Sequence, residues 1–481
     1  MTTPSTVEAR ISRGLRDLLP EQMIARQWMI DTVRRVYELY GFVPLATPAI
    51  EYLEVLRGSE AGQEAQQSIF TVGSPEKEAL ALRFDLTVPL ARVVAQYPEL
   101  PRPFRRYQVS PVWRADKPDK GRFREFTQFD LDSVGVESEI ADTEVIAGMC
   151  DALSALQCGP YLVRFSSRGI LNSLLAFAGI PEERGTDVFR VLDKQDKIGL
   201  SKVRKELTSG YQDESGDTIP GLGLGEDQVD RIERFLAIQA TDRREVVAEL
   251  REVFSGVPGA EDQISLVERI SSHLFALGYG EDRVRLDLSI ARGLAYYTGP
   301  VFEAMLLDAP QFGSVFGGGR YDDLVMRFLG ERIPATGASM GVDRLLAALE
   351  YLGRAGGQKS TAKALVLTMD AALTEDYLAL TWELRRAGIP AEVYLGTEKG
   401  LKKQLRYGDA TGVPIAILYG SNEKERGVVT LKDMEVGRQK AQALADRQEW
   451  LEARPGQREV PRGELVAGVK AMLEEIAGAG R

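Results

Sequence analysis

Cysteine and histidine are nearly absent from this 481-residue chain, which holds two cysteines, Cys150 and Cys158, and one histidine, His273. Two thiols cannot build a disulfide scaffold, and with a single histidine they leave no credible cysteine/histidine zinc site. A reducing cytoplasm is the expected setting. A serine or cysteine nucleophile triad would have to rest on His273. That residue lies in "ERISSHLFALGYG", a helical pattern in which a packed or capping histidine is expected instead. No apolar run approaches the length of a membrane span, and "MTTPSTVEARISRGLRDLL" has no apolar signal core, so neither a membrane nor a secretory leader is expected. Nucleotide cradles are missing too. "GGGRYDDL" (Gly317–Leu324) lacks a Gly-Lys-Ser/Thr ending, and no GxGxxG opens a helix after a strand. Any nucleotide must be held by side chains, and those glycines are expected to let backbones or a ligand approach closely.

What is present points to a globular chain of two or three domains, 44% apolar and 27% charged. The net charge of −11 argues against uniform affinity for nucleic acid. Pro101–Arg124 is the exception. Arg102, Arg105, Arg106, Arg114, Lys117, Lys120, Arg122 and Arg124 face only Asp116 and Asp119, a net +6 that leaves −17 for the rest. The charges are interleaved with Phe104, Tyr107, Val109, Val112, Trp113 and Phe123, as in strands with one face buried. Their other face is expected to line a surface that wants an anion.

Pro20–Tyr40 reads as a helix, with an apolar stripe from Ile24 to Tyr40, Pro20 in its first turn and Gly41 past its end. "GFVPLATPAIEY" reads as strand with prolines, suited to an edge or interface. A strand ends near Asp85 and a helix follows from Pro89. Two strands, about 108–114 and 124–131, flank the turn "ADKPDKG", and a helix covers 142–156. Residues 181–276 have the texture of a helical insertion in a larger β-rich domain. Strand signals return in "RVRLDLSI", "GPVFEAMLL" and "FGSVFGGGRYDDLVMRF". "PATGASMGVDRLLAALEYLG" then gives a tightly packed strand and a helix with Arg344 in its first turn. Gly353–Ala362 has linker composition. Beyond it, alternating strands and helices predict a small α/β domain with a mixed sheet, and the segment from 456 to 481 reads as an amphipathic helical tail.

Five stretches, "LRFDLTVP", "PVWRADKPDKGRFREFTQFDLDSVG", "RGLAYYTGPVFE", "GGGRYDDL" and "GASMGVDRL", resemble histidyl-tRNA synthetases in order and spacing. The likeness runs from "SRGLRDLLP" to "GVVTLKDM". The basic strand–turn–strand is similar to motif 2 of class II synthetases, the closing strand–helix to motif 3, and the tyrosine-bearing stretch to the histidine-specific signature. The resemblance implies an α/β (α+β) architecture. An antiparallel-sheet catalytic domain with a helical insertion would span 1–352, and an anticodon-binding mixed-sheet domain 363–455. It implies ATP with Mg2+, L-histidine and tRNA(His) as ligands, with a homodimer formed through "GFVPLATPAIEY".

Roles carried over with the resemblance suit the chemistry, in which a histidine carboxylate attacks the α-phosphate of ATP. Permanently charged, planar arginines fit that task. Arg114 would contact the α-phosphate and carboxylate, Arg344 the γ-phosphate end, and Arg292 the α-phosphate during attack, with Asp116 also assigned to ATP. Asp85, Thr87 and Gln128 would hold the α-ammonium; Asp132, Tyr296 and Tyr297 would surround the imidazole. Asp130 shares a strand face with Asp132, as two inward carboxylates or as part of a structural ion pair. If Arg292 and Tyr297 both reach the ligand, the chain between them must bend. Ala295 replaces a commonly acidic residue. For tRNA, Lys117, Lys120 and Arg122 are assigned to the acceptor stem, and Lys402, Lys403 and Arg406 to the second helix of the last domain. Two other readings stay open: a non-catalytic histidine-binding regulator of histidine biosynthesis, and a tRNA-sensing module.

Overall fold

The computed structural model describes residues 7–57, 69–117, 123–213, 216–290, 297–398, 400–436 and 456–479, the side chains of 196 and 197 excepted. These fall into two compact units. One holds residues up to Asp17 with Trp28–Ala355, the other Leu18–Gln27 with Gly356 onward. Among the described residues no helix is long and apolar enough to cross a membrane.

The first unit is organised by an eight-stranded sheet. Its spatial order is Val43–Pro44, Phe104–Trp113, Glu125–Val134, Ala335–Gly341, Ser314–Arg320, Pro300–Leu306, Tyr161–Ser167 and Val284–Leu286. The six inner strands are antiparallel, and each edge carries one short parallel strand. Alternation along these strands separates two chemistries. Phe129, Leu131, Phe165, Phe302, Ala304, Phe316, Ala338 and Met340 are buried on one face. The helix Ile140–Ala155 lies across it, presenting Val145, Ile146, Met149, Ala152 and Leu153. Residues one position along point the other way. The register there sets Arg106 opposite Asp132, Asp132 opposite Gly337, and Gly337 opposite Gly319; the next row runs Gln108, Asp130, Ser339, Gly317 and Glu303. A face this polar and this rich in glycine cannot be a second hydrophobic core.

Parallel neighbours need a long crossover, and the helical segment supplies it between Tyr161–Ser167 and Val284–Leu286. Helices Arg168–Ala178, Gly185–Leu192, Gln195–Leu207, Glu226–Leu236, Arg243–Val253 and Ala260–Ala276 pack around rings such as Phe235 stacked on Phe254 at 5.7 Å. His273 sits half-buried in the last turn of the final helix. Cys150 and Cys158 are buried thiols whose pKa burial pushes up to about 12, so they are inert rather than nucleophilic.

Some elements depart from the sequence reading. "GFVPLATPAIEY" is not one strand but two. Val43–Pro44 edges the large sheet, while Ile50–Tyr52 joins Leu80–Leu82 and Thr71–Val72 in a separate three-stranded sheet. Pro44 and Pro48, with no N–H to donate, interrupt the pairing between them. "RVRLDLSI" is strand only at Val284–Leu286.

The second unit carries five strands in the order Ala391–Val393, Ala364–Val366, Ile415–Leu418, Val428–Asp433 and Gln457–Pro461, the first three parallel and the rest antiparallel. The segment after Gly456 is therefore more than a helical tail. It adds an edge strand, and the helix Leu465–Ala479 buries Leu465, Val469 and Met472 in one core with Tyr377, Leu380 and Leu384 of the helix Thr374–Arg386. The amphipathic stripe was legible; the partner that it covers was not. On the opposite sheet face Leu405 of the helix Leu401–Thr411 packs with Leu365, Leu367 and Leu418. Lys402, Lys403 and Arg406 stay exposed on that helix, Lys403 paired with Glu398 at 2.6 Å.

Candidate active site

The polar sheet face gathers most of the residues singled out from the sequence. Asp132 is at its centre, 3% exposed, with its carboxylate 2.8 Å from Arg106 Nη2. Tyr321 donates its phenol proton to the other Asp132 oxygen. Gly337, directly across the ladder, makes the arrangement possible: a Cβ there would lie 2.0 Å from Asp132 Oδ1. Gly319 similarly admits the Tyr297 ring, which a Cβ at 319 would meet at 2.7 Å. Gly318, on the opposite face, lets the strands approach, since its Cβ would come within 2.3 Å of the Gly337 carbonyl. A Cβ at Gly317 would meet nothing within 4 Å, so the floor of the polar face is open there. The "GGGRYDDL" glycines thus allow backbone approach, side-chain insertion and open space at three successive positions.

Asp130 lies two residues before Asp132 on the same face, 2% exposed and 3.8 Å from Arg106 Nη2. Burial, with the Asp132 charge beside it, pushes the Asp130 carboxyl up to about 7, although Arg106 and the Ser339 hydroxyl pull the other way. Asp132 is also raised by burial, with Arg106 and Tyr321 opposing. Gln128 continues the row and donates Nε2 to Ser339 Oγ at 2.9 Å. Gln128 Oε1 and Asp130 Oδ1 are buried with no hydrogen-bond partner among the described residues.

Asp85, 7% exposed, is anchored by the Val88 amide at 3.2 Å, and Thr87 is the first residue of the helix Thr87–Gln96. Asp85 is near enough that its charge helps to raise both Asp130 and Tyr297. Tyr297 also feels Asp130, Asp132 and Arg114, and burial is the largest cause of its raised pKa. One neighbourhood therefore holds Asp85, Asp130, Asp132, Tyr297 and Arg114, residues scattered over more than two hundred positions of sequence. Arg114 lies over the Phe126 ring at 5.2 Å and donates Nε to the Phe84 carbonyl at 3.0 Å. Arg344 stands at the same end of the face. Its Cβ is 3.7 Å from where a Cβ of Gly341, the ladder partner of Gln128, would sit, and Nη1 donates to the Ser314 carbonyl at 2.7 Å.

Other assignments fall differently. Arg292, Tyr296 and Ala295 lie outside the described residues, as do Lys120 and Arg122; the bend expected before Tyr297 falls there too. Asp116 and Lys117 are exposed at the end of the described part of the basic stretch. Arg106, expected to face an anion with the other basic residues of its strand, is instead fully buried against carboxylates of its own chain. Arg105, on the apolar side, stacks on Phe42 and pairs with Glu144 at 2.9 Å. Tyr321 was missed as a site residue. Its signal was available, because a period of two from Gly317 and Gly319 puts it on their face. Arg320 beside it is structural. It ties the strand end to Asp142 of the helix Ile140–Ala155, and also reaches Asp322 and the Val136 and Ser138 carbonyls.

Such a face, with an anion-compatible arginine end and a carboxylate-and-phenol end, suits a small zwitterion set against a phosphate. Residues 14–345 match the family model described as histidyl-tRNA synthetase, and a histidine–tRNA ligase of Cereibacter sphaeroides is 45% identical over 97% of this chain and 98% of its own. The chain belongs to the histidyl-tRNA synthetase family. Residues 363–454 match the model described as an anticodon binding domain. A family member from Paracoccus denitrificans, also a histidine–tRNA ligase, is 44% identical over 97% of this chain and 98% of its own. The crystal structure of histidyl-tRNA synthetase from Nostoc sp. PCC 7120 shares 30% identity and a TM-score of 0.82, covering 97% of this chain and all of that one. The family's mixed architecture, a large sheet with helices and a separate sheet unit, is the one expected from the sequence.

Proposed function

We infer that the chain joins L-histidine to ATP as histidyl-adenylate, releases pyrophosphate, and passes the histidyl group to the 3′ end of tRNA(His). The observation that carries this reading is a buried carboxylate–phenol cluster of Arg106, Asp132 and Tyr321 on one sheet face, with Arg114 bonded to the Phe84 carbonyl beside Asp85. The attack sets one anion on another, so positioning and charge stabilisation are the main requirements. In this reading Arg114 holds the histidine carboxylate beside the α-phosphate, Arg344 holds the distal phosphates, and Arg292 stabilises charge on the α-phosphate as the leaving pyrophosphate departs. Asp85, Thr87 and Gln128 take the ammonium, and the unpartnered Gln128 oxygen suits it. Asp132, Tyr296 and Tyr297 face the imidazole, and we add Tyr321, which orients the Asp132 carboxylate.

Magnesium enters in this reading as part of the substrate, on the ATP phosphates. An ion of this kind is held chiefly by phosphate oxygens and water. The tRNA would meet the 116–122 turn with Lys117, Lys120 and Arg122 at its acceptor end, and Lys402, Lys403 and Arg406 near its anticodon; phosphate contacts of this kind position rather than specify. A cytoplasmic homodimer is part of the same reading. Ile50, Tyr52, Leu45, Tyr97 and Phe104 line a cleft of about 740 Å3 together with Glu51, Glu78 and Arg92, and this mixed surface is the one assigned to a second copy. Histidine-dependent ATP–pyrophosphate exchange tests the chemistry, and its absence would overturn the reading. Sedimentation of an active monomer would remove the dimer.

A further inference from the structure

We propose that Arg106 is a positioning residue for histidine, one buried guanidinium that joins the two sides of the amino-acid pocket and, with Asp130, sets the charge that the pocket presents. The inference rests on the reading of this face as the histidine site. Its geometric basis is the set of contacts around a single nitrogen. Arg106 Nη2 is 2.8 Å from Asp132 Oδ2, 3.8 Å from Asp130 Oδ2 and 3.2 Å from the Leu86 carbonyl. Leu86 is the residue between Asp85 and Thr87, so the same guanidinium that holds the ring-side carboxylate also holds the turn on the ammonium side. The ladder enforces the first contact, because Arg106 and Asp132 are direct partners across antiparallel strands.

Charge gives the second half of the inference. One guanidinium faces two carboxylates, and all three side chains are 0–4% exposed, so with both carboxylates ionised the cluster carries one unbalanced negative charge out of reach of water. An uncompensated buried charge is costly, and it is relieved by a proton or by a cationic or N–H-rich ligand. Histidine brings both an ammonium and ring N–H groups. Asp130 Oδ1, without a hydrogen-bond partner among the described residues, is the acceptor left over for such a donor. Arg106 thus prevents the charge from reaching −2, at which the carboxylates would repel or protonate, and Asp130 prevents it from reaching zero, at which the attraction for the ligand fades.

The test is histidine-dependent ATP–pyrophosphate exchange on the full chain with R106M, R106K, D130N and the double variant R106M/D130N. R106M should raise the histidine KM by about tenfold or more while the ATP KM stays within about twofold, since only the amino-acid side loses a contact. R106K, which keeps the charge but not the reach of Nη2 to all three oxygens, should fall between R106M and wild type. R106M/D130N restores the single negative charge and should recover most of the lost histidine KM. D130N alone should raise it. A purely structural arginine predicts parallel losses for both substrates and no recovery in the double variant, and either result overturns the inference. If R106M does not fold, D130N decides: an unchanged histidine KM sinks the proposal. Wild-type protein without histidine-dependent exchange would instead remove the functional reading, and this inference with it.

Discussion

Adding one methyl group at Gly337 should damage histidine use far more than it damages ATP use. The added Cβ would lie 2.0 Å from Asp132 Oδ1 and 2.6 Å from the Leu131 carbonyl, whereas ordinary contact begins at 3.4 Å. The carboxylate must therefore retreat by about 1.4 Å, the difference between those two distances. It has little freedom to do so, being held by Tyr321 on one oxygen and by Arg106 at 2.8 Å on the other. A shift of that size breaks the hydrogen bond to Tyr321 or the ion pair to Arg106. A misplacement of about 1 Å at a reacting or binding group costs on the order of 10²-fold, so kcat/KM for histidine in G337A should fall about 10- to 100-fold. Overpacking a tight site also costs about 1–3 kcal/mol of stability, so thermal unfolding must be followed in parallel. The control is G317A in the neighbouring strand, whose Cβ enters open space and should leave stability unchanged. Exchange kinetics at varied histidine and at varied ATP give the two KM values. A G337A protein that folds and keeps its histidine kcat/KM within about twofold would refute the claim that Asp132 is held at one required position.

Three further outcomes follow from the same geometry. Tyr321→Phe removes the donor to buried Asp132 and should raise the histidine KM about 5- to 50-fold with little change for ATP; equal effects on the two would remove Tyr321 from the pocket. Arg292→Ala should slow adenylate formation in single turnovers far more than it weakens ATP binding, while Arg344→Ala should chiefly raise the ATP KM; identical profiles would contradict the separate roles proposed. The third concerns pH. The Asp130 carboxyl is pushed up from its ordinary 3.8 to about 7, so between those values the folded chain binds more protons than the unfolded one. Stability from this group is present at low pH and lost as pH rises through that window, by at most about 1.4 kcal/mol per pH unit. Arg106, Asp132, Asp85, Tyr37, Arg83 and Tyr297 all act on or with this group, so the comparison must be between wild type and D130N rather than absolute. Melting at about pH 5 and pH 8 should show wild type losing more stability than D130N, and equal losses would refute the assignment.

Period-two alternation and punctuation by glycine and proline were enough to read five of the six inner strands, all but Tyr161–Ser167, with the helix from Pro20 and the alternating elements of the last domain, because those signals act over a few residues. Asp85, Gln128, Asp132, Tyr297, Arg114 and Arg344 were marked instead by the resemblance of their motifs to a known family. Pairing partners were beyond their reach. Nothing local in "PFRRYQVS" says that Arg106 will stand opposite Asp132, since register is decided by strands that meet only in the folded sheet. The basic stretch therefore read as a uniform anion-facing surface, while folding buried Arg106 between carboxylates and turned Arg105 to the other face. In the same way the helix Leu465–Ala479 showed its apolar stripe, and only the sheet beside it supplied what that stripe covers. Composition and periodicity thus determined most of the elements, and the resemblance of the motifs supplied the chemical kinds at the site. The tertiary structure decided which charges neutralise one another, because an ion pair depends on distances of a few ångströms between positions that the chain keeps far apart.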